Sequence, residues 1–217
     1  MIKGIVFDLD GTLLDTLDDL TIAVNKFLAK HNFKQHSRED VRKMVGNGAA
    51  KLVERALPKI EFTKDEMQIL FAEYAQAYKT SQEFTKIYDG ITEILDYLAE
   101  KNIKIAVVSN KPDKATQFCK ENYLKKWNFN PCFGQEDGIP IKPDPFMLNK
   151  VIEIWGFEKF EVLFVGDSPE DMLTAKNAGI AGIGAGWGFR SCELLDKAGA
   201  KFSFEKTTEL LEFIKSL

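Results

Sequence analysis

Apolar positions fall into short β-branched runs separated by stretches of helical periodicity, and the two alternate along most of the chain. Ile2 to Leu9 is the first run, closed by Asp10-Gly11, which predicts a buried strand and then a turn. The same signal recurs at Ile103 to Val108, Val162 to Val165 and Ile180 to Ile183, each running into Ser or Gly. Between them, Ile91, Ile94, Leu95 and Leu98 predict one amphipathic helix, Met147, Leu148, Val151 and Ile152 another, and Leu210, Leu211 and Ile214 a third. Pro112 reads as a first-turn residue of a further helix. Such alternation predicts an α/β fold with a doubly wound parallel sheet, whose right-handed crossovers bring the strand C-termini to one edge.

Residues 16–85 break the alternation. They offer helical patterns at Leu20 to Ala29, Val41 to Val45, Ala49 to Leu57 and Met67 to Tyr78, with Thr63 and Glu66 spaced as a capping box, and no credible strand. The expected organisation is therefore an α/β core of residues 1–15 and 86–217 with a helical cap, 16–85, inserted after the first strand.

Composition narrows the chemistry. With 29 Lys+Arg against 33 Asp+Glu, a net charge of -4, the chain is a poor candidate for a nucleic-acid binder, while a small anionic ligand stays open. No apolar run approaches the roughly 18 residues of a membrane span, and the N-terminus reads as neither signal nor transit peptide, so a cytoplasmic location is expected. Cys119, Cys132 and Cys192 are scattered and read as reduced, buried side chains. The two histidines, His31 and His36, lie in one polar stretch and read as solvated loop residues, which leaves a Ser-His-Asp triad or a histidine zinc site without material. A P-loop is absent, and Gly182, Gly184, Gly186 and Gly188 do not fit a dinucleotide fingerprint.

Carboxylates and small polar groups stand where the strands are expected to end. Asp8 and Asp10, two apart, point to one side of an extended chain. Ser109-Asn110 closes a second strand and Gly166-Asp167 a third, with Asp171 one helical turn later. Parallel strands would gather these groups at one crevice, where so many carboxylates need a hard cation with oxygen ligands, which suggests Mg²⁺. Lys142, in a loop stiffened by Pro140 and Pro143, is placed to meet a phosphate or a charged aspartyl group.

Together these motifs resemble the haloacid dehalogenase-like superfamily of phosphotransferases: D-x-D-G-T at Asp8 to Thr12, Ser109-Asn110, Lys142, and G-D-x-x-x-D from Gly166 to Asp171, in order and across essentially the whole chain. The insertion point resembles that of the helical-cap subgroup, which implies a Rossmann-like core. The resemblance implies Asp8 as the nucleophile of an aspartyl-phosphate pathway and Asp10 as acid and then base. It also implies Mg²⁺ held by Asp8, the Asp10 carbonyl and Asp167, with Asp171 behind them orienting metal-bound water, and phosphoryl oxygens held by Thr12, Ser109, Asn110 and Lys142.

An aspartate at position 10 is missing from the dehalogenase and phosphonate-cleaving branches, so a phosphate ester is the implied substrate. The segment from Met44 to Leu57, and Gly186 to Arg190, resemble bacterial phosphoglycolate phosphatases. That likeness implies 2-phosphoglycolate, with the Gly46-Asn47-Gly48 turn offering backbone N–H groups to its carboxylate and Lys51 or Arg55 assisting. The alternatives are a sugar-phosphate mutase of the β-phosphoglucomutase type, a broad sugar-phosphate or pyrophosphate phosphatase, and a non-catalytic relative, against which the intact Asp8 and Asp10 argue.

Overall fold

A computed structural model describes residues 1–217. In chain order the elements are β1 (Gly4–Phe7), β2 (Leu14–Asp15), α1 (Leu17–Lys30), α2 (Arg38–Met44), α3 (Gly48–Ala56), α4 (Lys64–Lys79), β3 (Lys86–Ile87), α5 (Ile91–Glu100), β4 (Lys104–Pro112), α6 (Asp113–Tyr123), β5 (Phe129–Gln135), α7 (Phe146–Trp155), β6 (Val162–Gly166), α8 (Pro169–Ala178), β7 (Ala181–Ala185), α9 (Cys192–Ala198), β8 (Phe202–Phe204) and α10 (Thr207–Lys215). They form two compact units, Met1–Leu14 with Ile87–Leu217, and Asp15–Lys86.

The first unit is an α/β sheet in the order β5-β4-β1-β6-β7-β8, every neighbouring pair parallel. Its strands alternate: Ile5 and Phe7 of β1 face a core shared with α5 and α10, while Val6 faces one shared with α7 and α8. Helices thus cover both faces, and the central strands read as continuous apolar runs because both sides are dry. Ile5, Val6 and Phe7 are fully buried, each side chain contributing about 1.5–3 kcal/mol of transfer free energy. Gly4 is required by packing, since a Cβ there would lie 2.4 Å from the Trp155 ring.

β4 runs two residues beyond Asn110, to Pro112, which caps α6 from outside the helix instead of entering its first turn. The edge strands β5 and β8 have weak sequence signals. Pro131 and Gly134 interrupt β5 and β8 is three residues long, both tolerable at a sheet edge.

The second unit is helical. Leu17, Leu20, Val24, Phe27 and Leu28 make a buried stripe on α1, and Phe27 meets Tyr74 of α4 edge-on, ring centroids 6.2 Å apart. Thr63 and Glu66 form the expected capping box, Glu66 Oε2 accepting from Thr63 N at 2.7 Å. Asp19, fully buried, accepts from the backbone N–H groups of Glu83, Phe84 and Thr85 and from the Thr85 hydroxyl. The histidines are less idle than their stretch suggests: His31 pairs with Glu73, and His36 Nε2 bonds the Ala56 carbonyl at 2.8 Å. All three cysteines are free, but only Cys119 is buried; Cys132 and Cys192 are half-buried. No helix is long and apolar enough to cross a membrane.

Candidate active site

Parallel pairing carries the polar strand ends to one edge of the sheet. The Asp8 amide continues the β1–β6 ladder by donating to the Val165 carbonyl at 2.9 Å, so Asp8 emerges beside Gly166-Asp167. After it the chain turns sharply, the amides of Thr12, Leu13 and Leu14 all directed at the Leu9 carbonyl. Gly11 sits in this turn at φ +84°, and a Cβ there would lie 2.2 Å from Asp167 Oδ2, so both backbone conformation and close approach demand glycine.

Asp8, Asp167 and Asp171 bring one carboxylate oxygen each within 4.8 Å of one another. Asp171 is completely buried and committed: its Oδ2 accepts from Ser168 N (3.0 Å) and Ser168 Oγ (2.6 Å), the capping box of α8, and its Oδ1 from Lys142 Nζ (2.7 Å). Lys142, 2% exposed, also donates to the Val108 carbonyl at 3.1 Å and ion-pairs with Asp8 Oδ1 at 2.7 Å. Burial acts to strip its proton, but Asp171 and Asp8 outweigh that and hold the ammonium above its ordinary range. Asp8 Oδ1, although buried, thus has the Lys142 ammonium as its side-chain partner.

Desolvation pushes the Asp8 carboxyl up to about 6, with Lys142 opposing and Asp171 reinforcing. It likewise raises Asp167 well above the usual carboxylate range, aided by Asp8 and Asp171 and opposed by the Phe189 amide and by Arg190. A buried cluster of three carboxylates, two of which share one ammonium, with proton affinities displaced upward, fits a hard divalent cation, with Asp8 and Asp167 the members left to ligate it.

Some of the expected residues have additional engagements. Asn110 bonds Lys142 twice, its Oδ1 accepting from the Lys142 amide (2.8 Å) and its Nδ2 donating to the Lys142 carbonyl (3.2 Å), so it fixes the lysine's backbone. The Thr12 hydroxyl, fully buried, points at Asp167 Oδ1 (3.4 Å). Ser109 Oγ accepts from the Lys111 amide at 3.3 Å. In the helical unit, Gly46 and Gly48 adopt φ of +127° and +82°, and Asn47 Oδ1 accepts from Arg55 at 2.6 Å. Arg55 also donates to the Met44 carbonyl, and Lys51 ion-pairs with Glu54 at 2.7 Å.

Three residues escaped the sequence reading of the site. Lys111 is 6% exposed, and its Nζ lies 3.0 Å from both carboxylate oxygens of Asp10. Its signal was available, because a strand residue two beyond Ser109 points to the same side. Trp187 Nε1 donates to the Thr12 carbonyl at 3.0 Å, and the Phe189 amide to Asp167 Oδ2 at 2.7 Å. Their stretch drew notice only as a resemblance, since no local pattern shows that this loop returns to the first turn.

The family model described as haloacid dehalogenase-like hydrolase matches residues 5–185. The phosphoglycolate phosphatase of Vibrio parahaemolyticus is 33% identical over 220 residues, covering 98% of this chain and 96% of that protein. Phosphoglycolate phosphatase 1 of Pseudomonas aeruginosa is 37% identical over 181 residues, 81% of this chain and 66% of that one. Among solved structures, a protein of Haemophilus somnus described as a predicted phosphoglycolate phosphatase superposes with a TM-score of 0.90 at 29% identity, covering 98% of both chains.

Proposed function

Because the chain belongs to the haloacid dehalogenase-like hydrolase family and is a phosphoric monoester hydrolase, we propose that it cleaves 2-phosphoglycolate through an aspartyl-phosphate on Asp8, with Mg²⁺ as cofactor. The observation that carries this reading is the buried Asp8 carboxylate, ion-paired to Lys142 and clustered with Asp167 and Asp171, at the strand edge where Asp10 also stands.

Asp8 attacks phosphorus while Asp10 gives its proton to the departing alkoxide. Asp10 then removes a proton from the water that attacks the aspartyl-phosphate, which releases phosphate and restores Asp8. Lys142 and Ser109, with the Thr12 turn, meet the phosphoryl oxygens, and Asn110 contributes by holding Lys142 in place. Asp8, the Asp10 carbonyl and Asp167 would hold Mg²⁺, with Asp171 behind them; when bound, the ion offsets the repulsion between carboxylate nucleophile and phosphate dianion. Asp171 meanwhile keeps Lys142 charged and aimed.

The substrate assignment draws on the phosphoglycolate phosphatases aligned over nearly the whole chain. The Gly46-Asn47-Gly48 turn and Lys51 are assigned a share in substrate choice through interactions with the glycolate carboxylate. Three free cysteines agree with a reducing, cytoplasmic setting. The test is phosphate release with Mg²⁺ from 2-phosphoglycolate, sugar phosphates, nucleotides and pyrophosphate, beside Asp8→Asn. Preference for 2-phosphoglycolate that the substitution abolishes supports the proposal; release that survives it, or a flat profile, refutes the mechanism or the substrate respectively.

A further inference from the structure

Lys111 is a nearly buried ammonium that the phosphoryl-transfer steps leave without a task. Lys142 is turned to Asp8 and Asp171, whereas Lys111 faces Asp10, the group that meets the leaving oxygen. We propose that Lys111 is a specificity-determining residue, selecting phosphate esters whose leaving group carries a carboxylate on the carbon next to the ester oxygen.

The argument is one of reach. Asp10 transfers a proton only to an oxygen about 3 Å away, and Lys111 Nζ is 3.0 Å from both Asp10 carboxylate oxygens. An ester oxygen held by Asp10 therefore lies within about 6 Å of the ammonium. A carboxylate on the adjoining carbon spans that gap and makes a charge-assisted contact, while a hydroxymethyl group in its place has no charge to offer. An ammonium has three donors on a flexible stem, so it can hold Asp10 and share a bond with an incoming anion. Its backbone amide donates to Ser109 Oγ, so the Lys111 stem starts from the same strand end as Ser109. This deepens the reading above and rests on it: that reading names the substrate, and Lys111 supplies a charge that distinguishes it from neutral esters.

The test compares 2-phosphoglycolate with 2-hydroxyethyl phosphate, a neutral-tailed ester of similar size, in wild type, Lys111→Gln and Lys111→Arg, all with Mg²⁺ and with melting curves to confirm folding. Lys111→Gln is expected to lower the ratio of kcat/KM for 2-phosphoglycolate to that for the neutral ester by about 10-fold or more, mainly through KM for 2-phosphoglycolate, while any loss that comes from a displaced Asp10 falls on both esters alike. Lys111→Arg, which keeps the charge, is expected to retain discrimination within about fivefold of wild type. Equal losses on the two esters would overturn the inference and leave Lys111 as a residue that only positions Asp10; so would unchanged discrimination in Lys111→Gln. Wild-type protein that hydrolyses neither ester would sink the 2-phosphoglycolate reading and the inference with it, a result distinct from the other two.

Discussion

Replacing Lys142 with Met removes one buried ammonium from between two buried carboxylates, Asp8 and Asp171, and keeps most of the side-chain volume. In the native site the cation answers Asp171 Oδ1, Asp8 Oδ1 and the Val108 carbonyl, each within 3.1 Å. Removing one partner of a buried pair costs about 3–5 kcal/mol, because the charge left behind is neither solvated nor paired. For a chain of this length each kcal/mol corresponds to about 2–4 °C, so Tm should fall by roughly 6–20 °C. The assay is thermal unfolding followed by circular dichroism in EDTA, at pH 8 and pH 5.

Lys142 is the group that opposes the burial-driven rise of Asp8 to about 6, so without it that carboxyl titrates higher still. At pH 5 it is then protonated and no longer an uncompensated charge, and the deficit should be smaller than at pH 8. A Tm within about 2 °C of wild type at pH 8, or a deficit that grows on acidification, would refute the account of Lys142 as the counter-ion of this cluster.

The remaining predictions test other parts of the molecule. In metal-free wild type, Asp8 and Asp167 carry folded-state pKa values raised above those of the unfolded chain, so their contribution to stability is complete below the unfolded value and is lost as pH rises through the folded values, which for Asp8 is about 6. EDTA-treated protein should accordingly gain Tm relative to Asp8→Asn on going from pH 7.5 to 5, and a relative loss would contradict the assignment. Asp19→Ala strands three backbone N–H groups at positions 83–85 and should cost about 3 kcal/mol or more, with faster amide exchange at those positions as the local readout. Gly188→Ala would place a Cβ 2.1 Å from the Gly11 carbonyl and 2.5 Å from Asp167 Cβ. It should lower phosphate release by about 100-fold or more and raise the Mg²⁺ concentration needed for half-maximal activity. Activity near wild type would show that the 186–190 loop does not hold Asp167 in place.

Much of the architecture was legible because it is written locally. A run such as Ile5-Val6-Phe7 is apolar at every position because both faces of a central parallel strand are covered, and Asp8-x-Asp10 marks a strand end through spacing alone. The capping box of Thr63 and Glu66 needs only three residues of separation. The edge strands were harder to see: β5 carries Pro131 and Gly134, and an edge position relaxes the pattern that would otherwise reveal a strand.

The chain by itself thus determined the alternation of elements, the helical insertion and the identity of the carboxylates at the strand ends. Tertiary structure alone decided which partner each of them meets. Lys111 finds Asp10 across 101 residues, Trp187 finds Thr12 across 175, and Asp19 cradles backbone amides 64 to 66 residues away. Such pairings are set by strand order and by where loops return, and neither leaves a periodicity in the sequence. The same holds for the proton affinities of Asp8 and Asp167, since the displacement comes from removing water around them, and burial is a property of the packed fold.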